Sequence, residues 1–118
     1  MKTLLEKESK TPLVMQDESS GKLYITGLII PENPEVFFTK LNQIINSTYK
    51  IQKEICIEFN LEYFNTGAAR FLYKMFLELK QMSNAKVIWK YEEDDEDIFE
   101  SGKEFEELTD IDFSFEKL

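Results

Sequence analysis

Ile55, Ile57, Phe59 and Leu61 alternate with Cys56, Glu58, Asn60 and Glu62, a period of two that an extended strand with one apolar face satisfies. After Asn65-Thr66-Gly67 the period changes. Ala68, Phe71, Leu72, Met75, Phe76 and Leu79 recur at helical spacing, which predicts a helix from about Thr66 to Met82. A strand that passes so directly into an amphipathic helix is the opening of a strand-helix-strand unit, whose strands lie parallel.

The rest of the chain extends the same pattern. Leu13 to Asp17 and Lys22 to Ile29 are short apolar-rich stretches on either side of Glu18-Ser19-Ser20-Gly21, a turn-forming cluster that makes them a β-hairpin. Pro31-Glu32-Asn33-Pro34 ends the second strand. Asn33 suits an N-cap, Pro34 the first helical position and Glu35 the positive end of the helix dipole, so a helix is expected from about Pro34 to Thr48 with Phe37, Leu41, Ile44, Ile45 and Thr48 inward. Lys86 to Glu92 reads as a strand with Trp89 and Tyr91 as core residues. Asp94 to Asp97 open a third helix with Ile98, Phe99, Phe105 and Leu108 inward, and Ile111 to Phe115 is the last strand. The expected fold is α/β, one domain of order β-β-α-β-α-β-α-β with a mixed sheet and helices on one face or both. Residues 1–10 read as a flexible N-terminal arm and 11–118 as the domain.

Composition removes several functions. The 118 residues include 10 Phe, 5 Tyr and 1 Trp, enough for a core in a single domain. With 23 acidic against 14 basic residues and a net charge of −9, nucleic acid is not an expected partner. The chain has no histidine and one cysteine, Cys56, so an internal disulfide, a Cys-cluster metal site and the commonest general base are all excluded. No run is apolar enough for a membrane span or a secretory signal, and the expected location is the cytoplasm with no membrane partner. Cofactors and catalytic residues are not expected.

Acidic candidates for chemistry fare poorly. Glu92 to Asp97 is six consecutive acids, without the alternating ligands or central glycine of a calcium loop, and is better read as a solvated helix start or an electrostatic docking surface. Glu58 and Glu62 share a strand face but lie about 13 Å apart by strand rise, wide for the paired carboxylates of glycoside chemistry. With Asn60 they form a polar row that a partner could cover. Cys56, with no His or Lys beside it in sequence, reads as a small half-buried hydrophobe.

Thr66 differs because of its place. It stands where the strongest strand meets the best helix, where open α/β sheets carry functional loops. A phosphate there would be supported by the positive helix end, with Gly67 allowing close approach to the backbone. The residues alone leave open whether Thr66 is a phosphoacceptor or whether Asn65 or Thr66 only caps the helix. On the same helix Tyr73 and Leu77, flanked by Arg70, Lys74 and Glu78, form either an exposed strip beside Thr66 or part of a wide buried face.

Taken in order, Thr11-Pro12, Gly21-Lys22-Leu23, Pro31-Glu32-Asn33, Phe59-Asn60-Leu61-Glu62-Tyr63-Phe64-Asn65-Thr66, Trp89-Lys90-Tyr91 and Gly102-Lys103-Glu104-Phe105 resemble the SiaC family of bacterial regulatory phosphoproteins. The Pro-Glu-Asn turn and the Leu-x-Tyr-x-Asn-Thr segment are the most specific parts. The resemblance implies a fold similar to the STAS domain of anti-sigma-factor antagonists. It also implies a switch without enzymatic activity. A protein kinase phosphorylates the position of Thr66, a metal-dependent serine/threonine phosphatase reverses this, and the unmodified form binds and activates a diguanylate cyclase in cyclic di-GMP signalling. Many relatives continue with Ser-Ser where this chain has Gly67 and Ala68, so Thr66 is the one hydroxyl in the loop. Asn65, Gly67, Arg70, Tyr73, Lys74 and Leu77 are the candidate partner-binding residues. Two other functions stand beside this one. The first is an anti-sigma-factor antagonist in a partner-switching circuit, for which Asn65 departs from the usual Asp; the second is a small enzyme using Asp94 to Asp97 or Glu58 and Glu62.

Overall fold

Each strand of the sheet pairs only with its neighbours in sequence. The computed structural model describes residues 1–118 and gives β1 (Lys2–Leu5), β2 (Leu13–Gln16), β3 (Leu23–Ile29), α1 (Pro34–Gln52), β4 (Ile55–Phe64), α2 (Thr66–Lys80), β5 (Ala85–Tyr91), α3 (Glu96–Thr109) and β6 (Asp112–Lys117). The six strands lie in the order β1-β2-β3-β4-β5-β6. β1, β2 and β3 are antiparallel, and β3 to β6 are parallel. Since every parallel crossover steps in the same direction and such crossovers are right-handed, α1, α2 and α3 all fall on one face. α2 is the middle helix, packed on both of the others.

Inward strand positions and the helical stripes meet in one core. Leu23, Ile25, Ile57, Phe59, Val87 and Trp89 come from the sheet; Phe38, Leu41, Leu72, Phe76 and Phe105 come from the helices. Trp89 is its centre, with ring centroids of Phe59, Phe64, Phe105 and Phe113 5.5 to 6.3 Å away. Its indole N–H donates to the Ile98 carbonyl at 2.9 Å, so a buried donor is satisfied. The hairpin between β2 and β3 closes at Gly21, whose φ of +80° suits glycine. The Gln16 amide ties that turn to α1 through the Gly21 carbonyl and the Thr48 hydroxyl.

On the other face, the β3-β4-β5-β6 register aligns Tyr24, Glu58, Ile88 and Ser114 in one row. Glu58 pairs with Lys22 at 3.1 Å and Lys90 at 3.8 Å, and Lys90 also reaches Glu116 at 3.8 Å. Burial opposes the charge on Lys22, but the hydrogen bond and charge of Glu58, with a smaller contribution from Tyr24, together outweigh it and raise the lysine's pKa.

Several expectations need correction. Residues 2–5, assigned to a mobile arm, form β1 on β2, giving six strands in place of five; Leu4 and Leu5 pack partly against the core. Backbone pairing with β2 stabilises this strand where its side-chain pattern is too short to show it. α1 runs one turn past Thr48 to Gln52 and ends at Lys53 in the left-handed region. Asn33 occupies its N-cap position without a side-chain hydrogen bond. Leu108, expected inward, is 56% exposed, because the buried stripe of α3 is Ile98, Gly102, Phe105 and Thr109. Thr109 tolerates burial by donating its hydroxyl to the Phe105 carbonyl at 2.7 Å. Tyr91, expected in the core, is half-buried, as are Ile44 and Phe99.

Candidate functional site

β4 delivers Thr66 to the end of the sheet where its parallel strands finish. The β3-β4 register slips between Gly27 and Leu28, so that Gly27 faces Leu61 and Leu28 faces Tyr63. Glu62 is the extra residue, and the slip reverses the alternation beyond it. Tyr63 consequently turns outward, 59% exposed, while Phe64 packs towards Trp89 and Phe105. No alternation in the sequence signals this reversal.

Asn65 then fixes the start of α2. Its side-chain oxygen accepts from the Ala68 N–H at 2.8 Å, its Nδ2 donates to the Pro31 carbonyl at 3.3 Å, and its own N–H donates to the Ile29 carbonyl at 3.1 Å. The Pro31-Glu32-Asn33 turn and the Asn65-Thr66 step, 34 residues apart, are thereby joined. Replacing Asn65 by Ala removes the cap and this tie. A loss of about 1 to 2 kcal/mol is expected, measurable as a lower midpoint of denaturant unfolding.

Since Asn65 performs the capping, the Thr66 hydroxyl is free of it. Thr66 is exposed and is the first residue of α2. α1 carries Glu35 and α3 carries Glu96 and Asp97 in their first turns, whereas the first turn of α2 has no acid. In so acidic a chain, the positive end of α2 is left without a matching negative charge. A Cβ on Gly67 would meet Pro34 Cγ at 3.5 Å, an ordinary contact, so packing alone does not call for glycine there.

Along α2, Thr66, Arg70, Tyr73 and Leu77 follow one another at helical spacing on the outer surface, with Lys74 beside them. Tyr73 is 36% exposed and Leu77 39%. The stripe beside Thr66 is therefore an exposed one, since Ala68, Leu72, Met75, Phe76 and Leu79 complete the buried face without it. Asn65 and Gly67 lie half-buried at its amino end.

Other candidates do not gather into sites. The acids from Glu92 to Asp97 fan out from the start of α3, where Asp95 accepts from the Ile98 N–H at 3.1 Å, and no three carboxylates or thiols in the chain converge as a metal would require. Glu58 is held by two lysines while Glu62 is exposed at the bulge. Cys56 is half-buried, and its burial raises the thiol pKa, so it is a poor nucleophile. No helix is long and apolar enough to cross a membrane.

A family model described as the SiaC family regulatory phosphoprotein matches residues 5–118. Among solved structures, the fold is similar to a chain in the crystal structure of the diguanylate cyclase SiaD in complex with its activator SiaC from Pseudomonas aeruginosa. The TM-score is 0.86 at 19% identity, over 97% of this chain and 98% of that one. It is similar as well to apo-SiaC from Pseudomonas aeruginosa, with a TM-score of 0.82 at 20% identity, over 98% of this chain and 99% of that one. A further SiaC structure from the same organism gives 0.83 at 18% identity, with both chains fully covered. At these identities the structures establish the shared fold. No curated protein matches the chain significantly in sequence.

Proposed function

The chain belongs to the SiaC family of regulatory phosphoproteins, and from that we propose that it is a non-enzymatic switch whose state is written at Thr66. In this reading a protein kinase phosphorylates Thr66 and a metal-dependent serine/threonine phosphatase removes the phosphate. The unmodified form binds and activates a diguanylate cyclase through Asn65, Gly67 and the exposed α2 stripe of Arg70, Tyr73, Lys74 and Leu77. The Pseudomonas aeruginosa relative of similar fold is an activator in complex with such a cyclase.

The observation that carries the reading is the free Thr66 hydroxyl, exposed at the first position of α2 while Asn65 does the capping. A hydroxyl committed to the cap would have to leave it to be modified; this one is already presented to an incoming enzyme. The lack of an acid in the first turn of α2 favours the same assignment, because a phosphate there meets no neighbouring carboxylate on that turn.

Incubation with the source organism's kinase and magnesium ATP, followed by peptide mass spectrometry, tests the assignment. One phosphate on Thr66 is expected, and none on Thr66→Ala, which should still bind the cyclase. Phosphate at another position, or undiminished incorporation in Thr66→Ala, would remove Thr66 from the switch.

A further inference from the structure

The surface charge is divided unevenly between neighbouring helices. Between Thr66 and Lys80, α2 carries Arg70, Lys74 and Lys80 against Glu78 alone, in a chain of net charge −9. α3, packed next to it, has Asp97, Glu100, Glu104 and Glu107 exposed. An acidic partner is repelled along α3 and admitted at α2.

Two of the three α2 cations are already engaged. Lys80 donates to the Asp110 carbonyl and lies 3.4 Å from its carboxylate, and Lys74 leans over the Phe71 ring at 5.3 Å. Arg70, the single arginine of the chain, is exposed and makes no ion pair. It stands one turn before the exposed Tyr73 and Leu77, so a cation with flat, bidentate geometry heads an apolar strip. Charge-complementary contacts of this kind fix the register of a complex, while the apolar residues supply contact area.

Resting on the reading of the preceding subsection, we infer that the cyclase meets α2 with an acidic surface around an apolar centre, a carboxylate seated on Arg70, and that a phosphate on Thr66 competes for that arginine. Thr66 and Arg70 are four residues apart on one helix face, within reach of each other's side-chain groups. A phosphothreonine there takes the guanidinium in a charge-assisted pair and removes the cation that the partner needs. The phosphate thus acts by capture of Arg70 as well as by its own charge.

Two measurements test this. In the first, the source organism's diguanylate cyclase is titrated with the unmodified full chain, Arg70→Gln and Arg70→Glu from about 50 to about 400 mM salt. Binding about tenfold weaker for Arg70→Gln and about a hundredfold weaker for Arg70→Glu is expected, with a shallower salt dependence than the parent. Arg70→Glu binding within twofold of the parent overturns the acidic-partner contact and leaves the cyclase reading standing. A cyclase that binds none of the three overturns both. In the second, phosphothreonine is placed at residue 66 by semisynthesis and followed by phosphorus NMR. The second phosphate pKa, ordinarily about 6, should lie about half a unit lower with Arg70 than with Arg70→Gln. Equal values overturn the capture by Arg70, whatever the kinase or the cyclase does.

Discussion

Phosphorylated at Thr66, the protein should bind the diguanylate cyclase proposed as its partner at least a hundredfold more weakly than the unmodified form, while its melting temperature moves by no more than a few degrees. The modification adds about −1.5 to −2 charges at pH 7. Thr66 is exposed at the head of the α2 stripe and makes no packing contact that the fold depends on, so the folded state tolerates the phosphate in water. An interface does not, because one guanidinium offsets only part of the added charge and the partner's carboxylate loses its cation; burying charge so incompletely paired costs several kcal/mol, and each ~1.4 kcal/mol is a factor of ten in affinity. Thr66→Asp brings about half that charge and no tetrahedral oxygens, and should weaken binding by about tenfold only. Calorimetric titration of the three forms against the cyclase checks the order. Equal affinity for the phosphorylated and unmodified forms would show that the stripe beside Thr66 is not the contact.

A methyl group added at Gly102 should cost about 2 to 3 kcal/mol of stability, a lowering of the melting temperature by roughly 10 °C. Its Cβ would sit 2.5 Å from Trp89 Cδ1, 2.6 Å from Trp89 Nε1 and 2.8 Å from Phe115 Cε1. The indole cannot give way. It is fully buried, enclosed by four phenylalanine rings and anchored to the Ile98 carbonyl of the same helix. Helix propensity pulls the other way, by about 1 kcal/mol in favour of alanine, so the clash must exceed that gain. Ser101→Ala, one residue earlier and half-buried, is the control and should change little. Denaturant unfolding followed by the fluorescence of the single tryptophan measures both; a Gly102→Ala protein as stable as the parent would mean that α3 lies farther from β5 than described.

The elements that the sequence made legible are those with a long, unbroken period. β4 and α2 show it best, since Ile57, Phe59, Leu72 and Phe76 each repeat a burial pattern set by their own neighbours. β1 escaped because four residues between charged flanks carry no period, and their pairing partner lies beyond a loop. Leu108 is apolar but out of phase with the buried stripe: on α3 the inward position falls on Thr109, which satisfies its hydroxyl within the helix. Strand order was legible only in part. Alternating strands and helices allow a sheet covered on one face or both, and only the adjacency of β3, β4, β5 and β6 decides it.

For the site, the position of Thr66 followed from the change of period, and its proposed role came from family resemblance. What no pattern could show is the bond from Asn65 to Pro31, since it depends on the distance between two loops after folding. The outward turn of Tyr63 was hidden for a related reason, being set by a slip in register against β3. The exposure of Tyr73 and Leu77 was open in the sequence because the seven other apolar residues of α2 could fill one face or be joined by these two.

A sheet in which every strand touches only its immediate predecessor and successor has a bearing on how the molecule is made. As the chain leaves the ribosome, each new strand finds its partner already present, so structure can grow from the amino end in the order of synthesis. Long-range closure never spans more than one crossover, which keeps the entropic barrier to each step small. The last of these steps brings in β6 and closes Phe113 over Trp89, which makes the tryptophan signal a reporter of completion.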